Sequence, residues 1–491
     1  MSRSTVMAID QGTTETKVVL FNDAGQILAR ARRAVTQHYP QPGWVEHDPA
    51  EILNGALDAA AEVITQSGTV PAAIGITNQR ETIIVWDKRT GEPLYNAIVW
   101  QCRRTADTCG RLKAEGAEAV ARARSGLLLD PYFSATKLAW LFQNVPGLAS
   151  RARAGEVLAG TVDTWLAWNL TGRHVTDCSN AARTSLFNLA TLSWDRELTR
   201  LFNVPEVVLP EIVDTCGVVG KTRALGSLPA GIPVAALIGD QQAALFGQAC
   251  FRRGMAKNTY GTGSFLLINT GGEIVHSDQG LLTTVGWRRG GQTVYCLEGS
   301  VFIAGAAVQW LRDELGIIKS AAEIEALAAS VPDSGGVAFV PAFVGLGTPY
   351  WDPTARGAIV GLTRGTGRAH LARACLEALA HQSQDVLECM EQEGVQPLVL
   401  RADGGAAANN LLLQIQADLS GLEVHRPAVI ETTAWGAAML AGLAVGVWTG
   451  EDELEQVWRI DRIFRPQWDA ATRAEARAFW SRAVERCRHW A

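Results

Sequence analysis

Two short stretches carry the residue types of a phosphate site. Asp10-Gln11-Gly12-Thr13-Thr14 follows an apolar run and precedes Val18, Val19 and Leu20. AKNTYGTGSFLLINT, residues 256–270, repeats the order as a polar strand, a Gly-Thr turn and an apolar strand. A turn of small residues exposes backbone N–H groups that can surround a phosphate, and Thr13 and Thr14 add hydroxyl donors. Asp10, at a strand end, suits Mg2+, which keeps much of its water shell and takes one or two carboxylates. Two such turns facing one cleft could grip a triphosphate from opposite sides. The rival reading of either turn alone is an ordinary hairpin, because Gly and Thr are common there. The repetition weighs against it.

Two further groups border on chemistry. The short apolar run 232–239 reads as a strand buried on both faces, and it ends in Asp240-Gln241-Gln242, where an Ala/Leu helix starts. A carboxylate at such a junction is aimed into a cleft. DGGAAANN, residues 403–410, follows the strand-like 398–400 and precedes a helix beginning near Asn409. Gly404 and Gly405 allow a flat ligand close to the backbone, so an adenine or ribose site and a plain strand-to-helix connection both remain open. GVVGKT, residues 217–222, ends like a Walker A loop, but that motif needs Gly at position 215, which is Thr. It reads as a surface strand end.

These groups need a scaffold, and the chain supplies one twice. The opening segment reads as strand, turn, strand, with a third strand over 26–35. Asp48-Pro49 reads as an N-cap and first helical position, followed by a helix whose apolar face is Leu53, Leu57, Ala60, Ala61 and Ile64. Strands are predicted at 73–77, 82–86, 281–287 and 293–297. Gly12 and Gly261 lie 249 positions apart in 491 residues, which is one hairpin-led unit used twice, with a boundary near 247–254. No Pro- or Ser-rich linker separates the halves, so they should pack closely around a cleft. AWGAAMLAGLAVGVW, 434–448, is shorter than the roughly 20 residues a spanning helix needs and reads as a tightly packed core helix.

Bulk properties exclude other classes. At 491 residues, two or three cores are expected. The net charge of −6 disfavours nucleic acid and anionic membranes as partners. Nine scattered cysteines without a Cys-x-x-Cys pair point to neither a disulfide framework nor a zinc site, and suit a reducing cytoplasm. The opening MSRSTVMAID lacks an apolar leader, so a cytoplasmic protein is expected.

The chain resembles the FGGY carbohydrate kinases along nearly its whole length. The likeness is carried by DQGTT (10–14), PGWVEHDP (42–49), GITNQRET (75–82), WQCRR (100–104), DPYFSATK (130–137), GTVDTW (160–165), GDQQAALFGQ (239–248), KNTYGTGSF (257–265), GLGTPYWDP (345–353) and DGGAAANN (403–410). Residues 132–144 and 357–377 look like the two signatures of that family. The resemblance implies an α/β fold of two actin-like, ribonuclease-H-like domains, 1–248 and 249–491, around a central nucleotide cleft. It implies transfer of the ATP γ-phosphoryl group to a terminal hydroxyl of glycerol, giving sn-glycerol 3-phosphate. A homo-oligomer, dimer or tetramer, is expected.

The family pattern places Arg80, Glu81, Tyr132, Asp240 and Gln241 on the glycerol hydroxyls, with Trp100 and Phe265 covering its carbons. Without the family, Arg80-Glu81 would be a solvated surface pair, and Trp100 and Tyr132 core residues. Asp240 is the implied base, and Mg2+ is implied at Asp10 and Asp240. Thr13, Thr14 and Thr262 fall on phosphate oxygens, Gly305 and Gln309 flank the nucleotide, and Gly405 and Asn409 take the nucleoside end. Glu15-Thr16-Lys17 departs from the Ser-Ser-Arg or Ser-Thr-Arg of many relatives. Lys17 keeps the charge but not the planar fork, and Glu15 should weaken nucleotide binding unless Lys17 or Mg2+ offsets it. Residues 224–228 lack the Gly-Gly-x-Arg loop that some relatives use for a regulatory sugar phosphate. Competing readings are a kinase for a larger polyol or ketose, and an actin- or Hsp70-like ATPase.

Overall fold

The computed structural model describes residues 4–490. Residues 1–3, the start of the segment read as lacking a leader, and residue 491 lie outside the described residues. One thirteen-stranded sheet runs through the molecule. Its first half is ordered Ile27–Ala34, Glu15–Asn22, Thr5–Gln11, Ala73–Asn78, Pro233–Gly239, Cys216–Lys221. It continues with Leu282–Arg289, Gln292–Val301, Ser264–Gly271, Met255–Tyr260, Val399–Asp403, Val424–Pro427 and Ile460–Phe464.

The duplication is visible in the pairing. In each half two antiparallel pairings lead to the strand before the Gly-Thr turn, two parallel pairings follow, and an antiparallel one closes the set. Leu282–Arg289 is the extra strand that joins the halves, through the single pair Cys216↔Arg289. The segment that imitates a Walker A loop lies in the first-half strand that Leu282–Arg289 pairs with, Cys216–Lys221, with Val218 and Lys221 exposed.

Thr5–Gln11 is buried at every residue, as a strand covered on both faces must be. The helix Pro49–Ser67 starts where its cap predicts: Asp48 accepts from the Ala50 amide at 2.8 Å. Its buried face is Ile52, Ala56, Ala59, Ala60 and Val63, rotated about one residue from the predicted stripe. Leu53, Leu57 and Ile64 form its half-buried flank. The helix fits into the strands at an angle that no period in the sequence reveals.

Two helices cross where the halves meet. Asp240–Gly247 follows the strand Pro233–Gly239, and Thr432–Ala444 follows the last parallel strand of the second half. The second helix lies against Thr5–Gln11, Ala73–Asn78 and Pro233–Gly239, all strands of the first half. The helices touch backbone to backbone: a Cβ at Gly436 would lie 1.9 Å from the Ala243 carbonyl oxygen, and one at Gly247 2.0 Å from that of Thr432. The Gly and Ala content of 434–448 is thus a packing requirement. No helix among the described residues is long and apolar enough to cross a membrane. All nine cysteines are free thiols and buried.

A small four-stranded sheet (Glu46–His47, Ala97–Ile98, Ile83–Asp87, Val157–Thr161) stands beside the large one. The chain leaves the large sheet at Asn78 and enters the small one at Ile83; the link between them carries Arg80 and Glu81.

Candidate active site

Both Gly-Thr turns are three-residue loops between antiparallel strands. At the first, the Gly12 amide donates to the Glu15 carbonyl at 3.0 Å. The Thr13 hydroxyl accepts from the indole N–H of Trp100 at 2.9 Å, so this turn touches the aromatic wall directly. Thr14 is exposed at the tip. Asp10 and Lys17 face each other across the strands. Lys17 Nζ lies 3.1 Å from Glu431, and 3.8 Å from both Asp10 and Glu15. Burial pushes the Asp10 carboxyl up to about 6; Lys17 opposes this, while Asp240, Glu431 and Glu15 reinforce it. Three carboxylates, Asp10, Glu15 and Glu431, thus converge on one lysine.

At the second turn the loop is laced to a helix N-terminus. The Thr262 carbonyl accepts from the amides of Ala304 (2.8 Å) and Ala306 (3.1 Å), and that of Gly261 from Gly305 at 2.9 Å. A Cβ at Gly305 would lie 2.6 Å from the Gly261 oxygen, so this approach requires glycine. Gly305 opens the helix Gly305–Asp313, and Gln309 is exposed one turn further on. Thr262 is exposed. Gly405 is exposed in a single 3-10 turn, Gly405–Ala408, that separates the strand ending at Asp403 from the helix Asn410–Ser420. Asn409 caps that helix, its Oδ1 accepting from the Leu412 amide at 2.9 Å, which leaves the amide NH2 for a ligand.

Arg80 and Glu81 are buried, not solvated (3% and 1% exposed). Arg80 donates to Glu298 through both terminal nitrogens (2.5 and 3.0 Å), to Gln242 at 3.2 Å and to the Tyr132 hydroxyl at 3.3 Å. Its Nε lies 3.2 Å from Asp240. Arg183 holds Glu81 at 2.6 Å and Glu298 at 3.0 Å. Burial works against the charge on Glu298, but Arg183 and Arg80 outweigh it and bring the carboxyl down to about 2. Glu81 has a left-handed backbone, φ 62°, which a side-chain-bearing residue adopts only when held; Ser134 Oγ donates to its carbonyl at 3.0 Å.

Asp240 opens its helix with the side chain partly exposed. Its Oδ1 accepts the Gln241 amide at 2.7 Å. Burial raises its carboxyl, against Arg80, Lys257 and that N–H, with Glu298 adding to the rise. Gln241 accepts from Lys257, whose ammonium also reaches Thr259 Oγ1 at 2.9 Å. Burial pulls the Lys257 amine down to about 8. Trp100, Tyr132 and Phe265 form the apolar wall: Trp100 meets Tyr132 at 5.5 Å and Phe265 at 6.4 Å, both near edge-to-face.

Glu298, Arg183 and Lys257 hold the site residues yet escaped the sequence reading. The only signal was a lone charge amid apolar or small neighbours in CLEGS, NAAR and AKNTY.

The first turn thus joins a group of acidic side chains to a set of aromatic rings that reaches Phe265 beside the second turn. The model of the N-terminal domain of the FGGY family of carbohydrate kinases matches residues 5–247, and that of its C-terminal domain residues 256–445. The chain belongs to the FGGY family of carbohydrate kinases. It is 57% identical to a glycerol kinase of Aromatoleum aromaticum and 54% identical to glycerol kinase 2 of Thermotoga maritima, over 99% of each chain. Among solved structures it is similar to Plasmodium falciparum glycerol kinase with ADP, with a TM-score of 0.94 and 37% identity over 99% of this chain and 98% of that one. Xylulose kinase from Lactobacillus acidophilus, 22% identical over 98% of each chain with a TM-score of 0.89, shares the fold. An FGGY kinase takes its phosphoryl group from ATP, and membership sets aside the filament-forming or partner-driving ATPase.

Proposed function

We propose that this FGGY kinase phosphorylates a terminal hydroxyl of glycerol, giving sn-glycerol 3-phosphate. The observation that carries the reading is the meeting of Arg80, Glu81 and Asp240 beside the rings of Trp100, Tyr132 and Phe265, polar groups suited to hydroxyls next to apolar surface suited to a short carbon chain. The names of its full-length relatives point the same way.

In this reading Glu81, Arg80 and Gln241 orient the polyol, and Trp100 and Phe265 exclude water. One hydroxyl oxygen attacks the γ-phosphorus as the bond to the bridging oxygen of ADP breaks, and Asp240 takes the proton. Burial raises the Asp240 carboxyl toward the working range of a base. Phosphoryl transfer is mainly positioning and charge neutralisation. The turns at Thr13, Thr14 and Thr262 hold phosphate oxygens; Gly305, Gln309, Gly405 and Asn409 take the rest of the nucleotide. Lys17 and Glu15 border the phosphates but are occupied by other ion pairs.

The acid cluster fits Mg2+. It offers hard oxygen donors with more negative than positive charge, and the raised Asp10 carboxyl marks a place where a cation is favoured. Asp10 and Asp240 would hold the ion with the phosphates and water, and Mg2+ supplies neutralisation of phosphate charge there. Among the described residues no group of three His, Cys, Asp or Glu side chains is placed to hold a metal, so phosphates and water would have to supply the rest of the shell. The division of labour is then 1–248 for the polyol, base and metal, and 249–491 for the second turn and the nucleoside.

The test is turnover of glycerol, dihydroxyacetone, xylulose and gluconate with ATP, by the wild type and Asp240→Asn. Glycerol should give the highest kcat/KM, its product should be oxidised by an sn-specific dehydrogenase, and the variant should lose about a thousandfold in kcat. A pentulose turned over far faster than glycerol overturns the reading.

A further inference from the structure

We propose that Glu298 is a positioning residue of the polyol site. It sits in the second half, fixes the Arg80 guanidinium of the first half, and so makes polyol binding depend on how the halves are docked. The inference rests on the polyol-kinase reading above and extends it to a residue that touches no substrate.

A guanidinium has five N–H groups in a rigid fork. In Arg80 all five have a partner: Nε faces Asp240, one terminal nitrogen faces Glu298 and Gln242, and the other faces Glu298 and the Tyr132 hydroxyl. The bonds are unequal. The hydrogen bonds to Glu298 are 2.5 and 3.0 Å, those to Gln242 and Tyr132 are 3.2 and 3.3 Å, and the ion-pair contact of Nε with Asp240 is 3.2 Å. Bidentate carboxylate pairing is the strong geometry for this fork. A polyol hydroxyl entering the pocket therefore shares one of the three long contacts, while the Glu298 pair stays. Glu298 is the anchor, and the other three are the working side.

Charge balance supports the assignment. Glu298 is fully buried, on the strand Gln292–Val301, and is paired with two cations, Arg80 and Arg183. Arg183 in turn holds Glu81, the second polyol carboxylate. One carboxylate from the second half thus orients Arg80 directly and Glu81 through Arg183. Without it, Arg80 is free to close on Asp240, with which it already has contact, and the base would be neutralised by an ion pair. Phe265 comes from the adjacent strand of the same half, so the second half completes both the polar and the apolar sides of the pocket.

The experiment compares wild type, Glu298→Gln and Glu298→Asp as full-length protein, measuring the polyol KM and kcat at saturating ATP and the ADP Kd by calorimetry. Glu298→Gln should raise the polyol KM by about 10- to 100-fold, the loss expected for charge-assisted hydrogen bonds, with the ADP Kd changed less than about twofold. Glu298→Asp, which keeps the charge but draws it back, should fall between. A polyol KM within about twofold of wild type in a folded variant overturns the proposal, and so does an equal loss of polyol and ADP affinity, which marks a purely structural role. If Glu298→Gln does not fold, Glu298→Asp decides alone by the same criteria. If the wild type prefers another polyol, the glycerol reading falls while the split between that polyol and ADP still tests Glu298.

Discussion

The two Gly-Thr turns share a fold and differ in charge. Before the first turn Asp10 pairs in register with Thr77 on the neighbouring parallel strand; before the second, Thr259 pairs with Asp403. Each half therefore sets one aspartate beside one threonine at its strand ends, on opposite strands. The two carboxylates have different fates. Oδ2 of Asp403 accepts from Gln248 and Thr432, at 2.8 and 2.5 Å, and ties together the crossing helices. Asp10, among the described residues, meets only Lys17, at 3.8 Å, and keeps its acceptors for something else. Near the second turn stands a cation, Lys257. The two cradles share their strand pairing but carry the acid on opposite strands, so the first is the more acidic and the second stands beside a cation.

The largest expected effect separates the two aspartates. Asp10→Asn should lower kcat by about 10²- to 10³-fold, as loss of a preorganised charge does, and raise the Mg2+ concentration for half-maximal rate. Asp403→Asn should instead lower the Tm and leave the Mg2+ dependence unchanged. Equal Mg2+ effects from both would erase the contrast. A stability test accompanies it. The Asp10 carboxyl stands at about 6 in the folded protein against 3.8 ordinarily, so folding favours its protonated form. That stabilisation is complete below about pH 3.8 and lost as the pH climbs through 6. Without nucleotide and metal, Asp10→Asn should therefore be more stable than wild type at pH 8, by about 3 kcal/mol, with the gain fading toward pH 4 in paired thermal melts.

A smaller effect sharpens the other side. Lys257→Met removes the donor to Gln241 and a positive charge facing Asp240. It should lower kcat/KM for the polyol by about tenfold. Arg80, Glu298 and the Gln241 N–H still face Asp240, but the balance shifts toward its protonated form. The acid limb of kcat/KM against pH should therefore move to higher pH. An unmoved limb would mean that Lys257 serves only to hold its strand.

Much of this scaffold was legible in the sequence because it recurs. The order of polar strand, Gly-Thr turn and apolar strand identified both hairpins, and Asp48-Pro49 marked a helix start that the capping bond accounts for. What stayed hidden depends on partners distant in the chain. Glu298 meets Arg80 across 218 positions, and a single glutamate in an apolar strand has no local spacing that announces such a partner. The crossing of Thr432–Ala444 onto the first half was hidden for the same reason: the Gly and Ala content says that something packs closely, not what. Arg80-Glu81 reads locally as a surface pair because burial of two opposite charges is set by Arg183 and Glu298, both remote.

The smallest effect concerns Glu15 and Lys17, where the sequence departs from many relatives. Spacing alone put Glu15 beside a phosphate site and made it a cost to nucleotide binding. In the structure Glu15 is met by Lys17 and by Arg32, at 3.8 and 3.7 Å, and Glu431 by the same two cations at 3.1 and 3.2 Å. The four side chains form a charge-balanced square at the rim of the first turn. Partly exposed pairs of this kind are worth about 0–1 kcal/mol each, and Lys17 spends its charge on carboxylates. The double variant Glu15→Ser, Lys17→Arg, which restores the common pattern, should therefore change the ATP KM by less than about threefold. A tenfold gain in ATP affinity would show that residue 17 leaves Glu431 for the phosphates when nucleotide binds, and the first turn would then hold its anion with a cation of its own.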